Sequence, residues 1–212
     1  MARIVSWSAT AALVLAVLLA GVLNPVRPAS VRTDALGPDS GEPVADYLRR
    51  AESTLAELGQ DPSWALVSFV EPLDVAAVAE LPGNVRVGQV LFRVPIDRVQ
   101  TPLVTVAVSA HPEALRRAPG VAAGRLRGPA EGTGRAARVA EVSAERLASG
   151  CACVVGLVVR GTGEQLREVA DDPAVRAVDA LPSDAVAGRF SVRPLLPEHV
   201  EVVAPGPDDG EP

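Results

Sequence analysis

The pattern of apolar and polar positions opens on a run with no polar period. From Ile4 to Leu23 there is no charged residue, and Ala11–Leu23 is apolar throughout, with Ser6, Ser8 and Thr10 confined to the start of the run. Twenty residues at helical rise span the roughly 30 Å hydrocarbon core of a bilayer, so the run predicts a transmembrane helix. A cleaved secretory signal requires a small-x-small site after its apolar centre. Cutting after Ala20 places Leu18 at the third position back, and cutting after Ala29 places Arg27 there. The run therefore reads as an uncleaved signal-anchor, residues 1–28, followed by a linker, residues 29–42. Arg3 on one side and Arg27 and Arg32 on the other nearly balance the orienting charge. The short basic head and long C-terminal remainder predict a single-pass protein of the cell membrane with its C-terminal domain extracytoplasmic.

From Pro43 onward the period changes. Val44, Tyr47, Leu48, Ala51, Leu55 and Leu58 recur at helical spacing between Pro43 and Gly59. Trp64–Val70 reads as a strand, Leu73–Leu81 as a short helix stopped by Pro82-Gly83, and Val85–Val94 as a long strand. Leu103–Val108 alternates like a half-exposed strand, and the stretch after it reads as a loop up to Gly134. Arg135–Ser149 is helical with Gly150 as its stop, and Cys151–Arg160 is an apolar strand. Thr162-Gly-Glu-Gln165 is a capping box opening a helix to about Asp172. Val175–Val178 is the next strand and Phe190–Val192 a last edge strand. Two strand-helix-strand units in series predict an α+β domain over residues 43–199, with an antiparallel sheet and helices on one face, in a ferredoxin-like arrangement. The tail, residues 200–212, is acidic and rich in Pro and Gly, and is expected to be disordered.

Composition narrows the function classes. All 20 basic residues are Arg, scattered among 26 acidic ones for a net charge of −6, which argues against a nucleic-acid partner. Three Phe, one Tyr and two Trp leave few aromatic platforms, so the core must be Val, Leu and Ala.

Trp64-Ala-Leu-Val-Ser-Phe69, Leu91-Phe-Arg-Val-Pro95, Gly150-Cys-Ala-Cys-Val154, Val159-Arg-Gly-Thr162 and Arg193-Pro-Leu-Leu-Pro-Glu198 resemble blocks of uncharacterised actinobacterial single-span membrane proteins. That resemblance covers most of the chain and implies an anchored extracytoplasmic domain, without an activity. Leu166–Asp179 is similar to the helix-to-strand part of subtilisin propeptide-type inhibitor domains, a resemblance under a tenth of the chain long.

Few residues offer chemistry. Cys151 and Cys153 are the only cysteines, and a regular strand would hold their Cα atoms near the roughly 7 Å limit for bridging, so a disulfide needs a bend at Ala152. Three readings stay open: a structural disulfide, two buried thiols, or a redox-active CxC pair. His111 and His199 are separated from each other and from the cysteines, so the residues suggest no metal site or other cofactor. No serine lies in a G-x-S-x-G elbow. Arg160-Gly-Thr-Gly163 reads as a helix cap and not an anion cradle, because Glu164 follows it. Glu71 and Asp74 read as helix-start acids, and neither they nor Asp171 and Asp172 look like acid-base machinery. The combined expectation is a membrane-anchored extracytoplasmic protein-interaction module with a protein partner in the cell envelope. The alternatives are a thiol-disulfide redox protein or a propeptide-like protease inhibitor.

Overall fold

The computed structural model describes residues 34–127 and 133–212. The span expected at Ile4–Leu23 and residues 29–33 of the expected linker lie outside the described residues. Among the described residues no helix is long and apolar enough to cross a membrane.

In chain order the elements are β1 (Asp34–Leu36), α1 (Val44–Ala56), β2 (Ser63–Leu73), α2 (Val75–Ala79), β3 (Arg86–Phe92), β4 (Val104–Ala107), α3 (Pro112–Arg127), α4 (Arg135–Ala148), β5 (Val154–Gly161), α5 (Gly163–Ala170), β6 (Val175–Ala180) and β7 (Phe190–Val192). Five strands form one antiparallel sheet in the order β4-β3-β5-β2-β6. The units β2-α2-β3 and β5-α5-β6 interleave, so that β2 and β5 lie side by side at the centre. Each unit is a crossover, which is why the two strands within a unit are not adjacent in the sheet.

Alternation in β2 sorts its side chains between the two faces. Ala65, Val67 and Phe69 point into one core with Val90, Phe92, Leu157, Val159 and the helices α2, α3, α4 and α5, whose Val78, Ala122, Leu147 and Leu166 are buried there. Leu66 points the other way, to Leu91, Val155, Val158 and Leu36. Trp64 lies on this second face with Phe190, ring centroids 6.1 Å apart, and beneath the Arg160 guanidinium at 5.8 Å. Gly88 makes room for that indole: a Cβ there would stand 2.7 Å from the Trp64 ring.

Several expectations are corrected here. Helices were expected on one face only. Four share a face, but α1 lies against β6 on the second one, where Val44, Tyr47 and Ala51 pack with Leu195 and Val203. β7 does not extend the main sheet; it pairs in parallel with β1, a strand inside the expected linker, as a separate ribbon that covers Leu66 and Leu91. The loop expected before Gly134 contains α3, whose Ala118, Ala122, Ala123 and Leu126 are buried despite Pro119 within it. Small side chains let this helix approach the sheet closely enough to outweigh the roughly 3 kcal/mol cost of an internal proline.

The tail is also corrected. It is tied back to the fold by Gly41 N–H to Val203 O at 2.8 Å, Val44 N–H to Glu201 O at 2.9 Å and Gly210 N–H to Arg98 O at 2.7 Å. The compact unit thus takes in both the segment before Pro43 and the chain to Pro212, and is wider than residues 43–199.

Candidate functional site

Cys151 and Cys153 are joined in a disulfide, with their Cα atoms 5.3 Å apart. The chain bends at Ala152, and β5 begins only at Val154, three residues later than the apolar run suggested. Cys153 is buried in the helix-side core and Cys151 is half-buried. Cys151 N–H donates to Arg146 O at 3.2 Å and Cys153 O accepts from Arg93 N–H at 2.8 Å, so the pair links the end of α4 to the strand edge after β3.

The other residues marked in the sequence serve local structure. Thr162 and Gln165 form the reciprocal cap of α5. Asp74 caps α2 through Ala77 N–H at 2.8 Å, and Asp172 accepts from Ala174 N–H at 2.8 Å. His111 is exposed just before α3. His199 is buried far along the chain, its Nδ1 accepting from Leu196 N–H at 3.3 Å, and its burial lowers its pKa. Among the described residues no group of three or more His, Cys, Asp or Glu side chains is placed to hold a metal ion.

A buried polar cluster went unmarked in the sequence. Asp179, 2% exposed, accepts from Gly37 N–H at 2.8 Å and from Thr54 Oγ1 at 3.3 Å, and Arg50 Nη1 lies 3.8 Å away. Arg50 also donates to Glu42 at 3.0 Å. Burial raises the Asp179 pKa against the opposing pull of Gly37, Arg50 and Thr54. The Tyr47 hydroxyl beside it makes no hydrogen bond, and burial, reinforced by the Asp179 charge, raises its pKa. Ser68 faces Tyr47 and favours its phenolate, but lies outside bonding geometry; its Oγ accepts from Leu195 N–H at 3.1 Å. The Asp179 carboxylate and the Arg50 guanidinium are engaged in ties between chain segments, which makes this cluster a structural staple.

The surface offers a different arrangement. A groove of about 610 Å³ runs between the connection after β3, Arg93–Thr101, and the C-terminal segment. Val94, Ile96, Val99 and Val155 supply apolar lining, and Pro197 and Pro207 stand on the opposite wall. Thr101 Oγ1 braces the connection by donating to Val94 O at 2.6 Å, and Arg93 pairs with Glu198. Within the connection, Val99 N–H bonds Ile96 O at 3.1 Å in a tight turn that holds Arg98 at φ 51°, in the left-handed region. That turn aims the carbonyls of Asp97 and Arg98 at the C-terminal segment.

The segment answers with matched groups. Asp208 Oδ1 accepts from Gln100 N–H at 3.0 Å and from Arg135 Nη1 at 2.9 Å, and Asp209 pairs with Arg98. Gln100 Nε2 donates to Gly206 O at 2.6 Å, and Arg135 Nη2 to Gly210 O at 2.8 Å. A Cβ on Gly210 would lie 2.3 Å from Asp97 O, so only glycine fits. Sequence reading passed over these residues because a Pro-Gly-acidic segment has no period to mark it. The sole local signal was the Asp208-Asp209-Gly210 run itself.

Compared with known proteins, the chain matches no family model, no curated protein and no solved structure.

Proposed function

We propose that the chain is a membrane-anchored extracytoplasmic protein-interaction module, held by Ile4–Leu23 and built on a ferredoxin-like core. The sheet order β6-β2-β5-β3 with two interleaved strand-helix-strand units supports the fold reading, with β4 added at one edge. The Cys151–Cys153 disulfide supports an oxidising compartment outside the cytoplasm, as does the apolar N-terminal run.

The observation that carries the interaction reading is the groove beside Arg93–Thr101. It combines an apolar lining and proline walls with charged groups at the margin, which is the chemistry of peptide or protein recognition. The sheet itself is a poorer docking surface. One face carries four helices and the other α1, the β1-β7 ribbon and the C-terminal segment. The open side of β4 is also partly occupied, since Arg125 donates to the Thr105 carbonyl.

The test is photo-cross-linking in the living cell from a reactive residue at Ile96, within the full chain. The same envelope protein should be captured from Ile96 in repeated experiments, and not from an exposed position on the helix layer such as Glu141. Capture of nothing, or equal capture from both positions, would sink the groove as the interaction site. A reporter fused after Pro212 tests the compartment, and activity confined to the cytoplasm would overturn the extracytoplasmic placement.

A second reading, thiol-disulfide exchange, has one observation in its favour: Cys151 is half-buried while Cys153 is fully buried, so one sulfur alone is open to attack. Differential alkylation across redox conditions decides it.

A further inference from the structure

We propose that the surface formed by Arg98, Gln100 and Arg135 is a recognition site for an extended acidic peptide of Gly-Pro-Asp-Asp-Gly chemistry, and that residues 206–210 are its intramolecular occupant. For a partner in trans, this rests on the interaction-module reading; the occupancy in cis does not.

The contacts are dense for so short and polar a segment. Over five residues, the peptide Gly206–Gly210 makes a backbone-to-backbone bond, two side-chain-to-carbonyl bonds, two bonds to the Asp208 carboxylate and an ion pair. Pro207 is the one apolar side chain among residues 206–210 and is exposed, so hydrophobic collapse does not hold the segment in place. The specificity lies in three features that operate together. Adjacent carboxylates meet different cations, Asp208 at Arg135 and Asp209 at Arg98. The Gln100 backbone N–H supplies a second donor to Asp208. The Asp97 and Arg98 carbonyls approach Gly210 too closely for any Cβ. A segment carrying one acid, or an acid pair followed by a larger residue, fails at least one of these.

The position of the site gives it consequence. Ala204, Gly206 and Pro207 form part of the wall of the 610 Å³ groove. Lifting the segment removes that wall, widens the groove lined by Val94, Ile96, Val99 and Val155, and frees both arginines from their carboxylate partners. A partner carrying an acidic Pro-Asp-Asp-Gly segment would replace the tail at the arginines and meet apolar surface alongside. The tail thus acts as a built-in competitor. Because the pairs are exposed, screening by salt loosens it.

The experiment uses the purified full chain and a fluorescein-labelled peptide with the sequence of residues 201–212. Anisotropy measures peptide binding, and amide hydrogen exchange at Gln100 reports whether the chain's own tail is docked. Gly210→Ala displaces the tail without changing charge, and Asp208→Asn with Asp209→Asn displaces it by removing the carboxylates. Gln100 exchange should be at least tenfold faster in both variants than in the wild type, and should slow again when peptide is added. Peptide should bind both variants at least tenfold more tightly than it binds the wild type. Adding Arg135→Ala should abolish binding, and an Asn-Asn peptide should not bind.

Unchanged Gln100 exchange in both variants would overturn docking in cis. Faster exchange without peptide binding would overturn the recognition site. Concentration-dependent dimers that disappear in Gly210→Ala would show that the occupant is the tail of a second copy, and would overturn the intramolecular assignment. Unfolding midpoints of the variants confirm that the fold is intact. A failure here leaves the Ile96 cross-linking result standing or falling by itself.

Discussion

Gly37 donates its backbone N–H to Asp179 Oδ2 at 2.8 Å across 142 residues of chain, joining the turn after β1 to the inside of β6. The bond fastens the β1-β7 ribbon to the sheet. Asp179→Ala leaves the Gly37 N–H buried and without an acceptor, and should cost about 1–3 kcal/mol in urea denaturation. A loss below a few tenths of a kcal/mol would show that the ribbon is held by apolar packing alone.

The charge on Asp179 has its own signature. Burial raises its folded pKa, so the folded state binds the proton more readily than the unfolded chain, whose carboxyl titrates near ~3.9. Between that value and the raised one, stability contributed by this group falls as pH rises, and above it the loss stays constant. Asp179→Asn keeps an acceptor for Gly37 and removes the titration. Its stability relative to the wild type should rise with pH through this window and then level off, as followed by thermal unfolding. A difference that is flat or of opposite sign would refute the burial argument.

Gly37 is also a steric requirement. It sits at φ +104°, and a Cβ would stand 1.6 Å from Arg193 O. Gly37→Ala should therefore destabilise by more than about 3 kcal/mol, in the range reserved for backbone clashes in cores. Equilibrium unfolding measures this, and a cost under about 1 kcal/mol would mean that the ribbon shifts freely.

Pro119 runs the other way. It lies inside α3, where it lacks the N–H of the helical ladder and crowds the preceding turn. Pro119→Ala should raise stability by about 1–3 kcal/mol, read from the urea midpoint, provided Ala118, Ala122 and Ala123 keep their packing. No gain would show that the helix bends to accommodate the ring.

The Cys151–Cys153 bridge closes a very short loop, so its chain-entropy contribution is small. Replacing both cysteines by serine should lower stability by about 1–2 kcal/mol. In the intact protein after partial reduction, a small alkylating agent should label Cys151 before Cys153, because only Cys151 reaches the surface. Equal labelling rates, checked by mass spectrometry, would contradict that asymmetry.

The sequence by itself determined most of the elements. Helical spacing marked α1 and α4, the Thr162–Gln165 box marked the start of α5, and β-branched runs marked β2, β3, β5 and β6, because each signal is written in neighbouring residues. The doubled strand-helix-strand pattern pointed to an antiparallel α+β sheet for the same reason, and the CxC spacing meant that a disulfide there would require a bend at Ala152. Only the tertiary structure decided that β1 and β7 form a ribbon, that α1 covers the second face, that α3 survives Pro119, and that the acidic tail is docked. In each case the stabilising partner is remote in the chain: Arg193 for Leu36, the sheet for Ala118 and Ala122, Arg98 and Arg135 for Asp209 and Asp208. A local pattern can state what a segment tends to form, but the free energy that overrides a proline, or orders a Pro-Gly tail, comes from surfaces brought together by the fold.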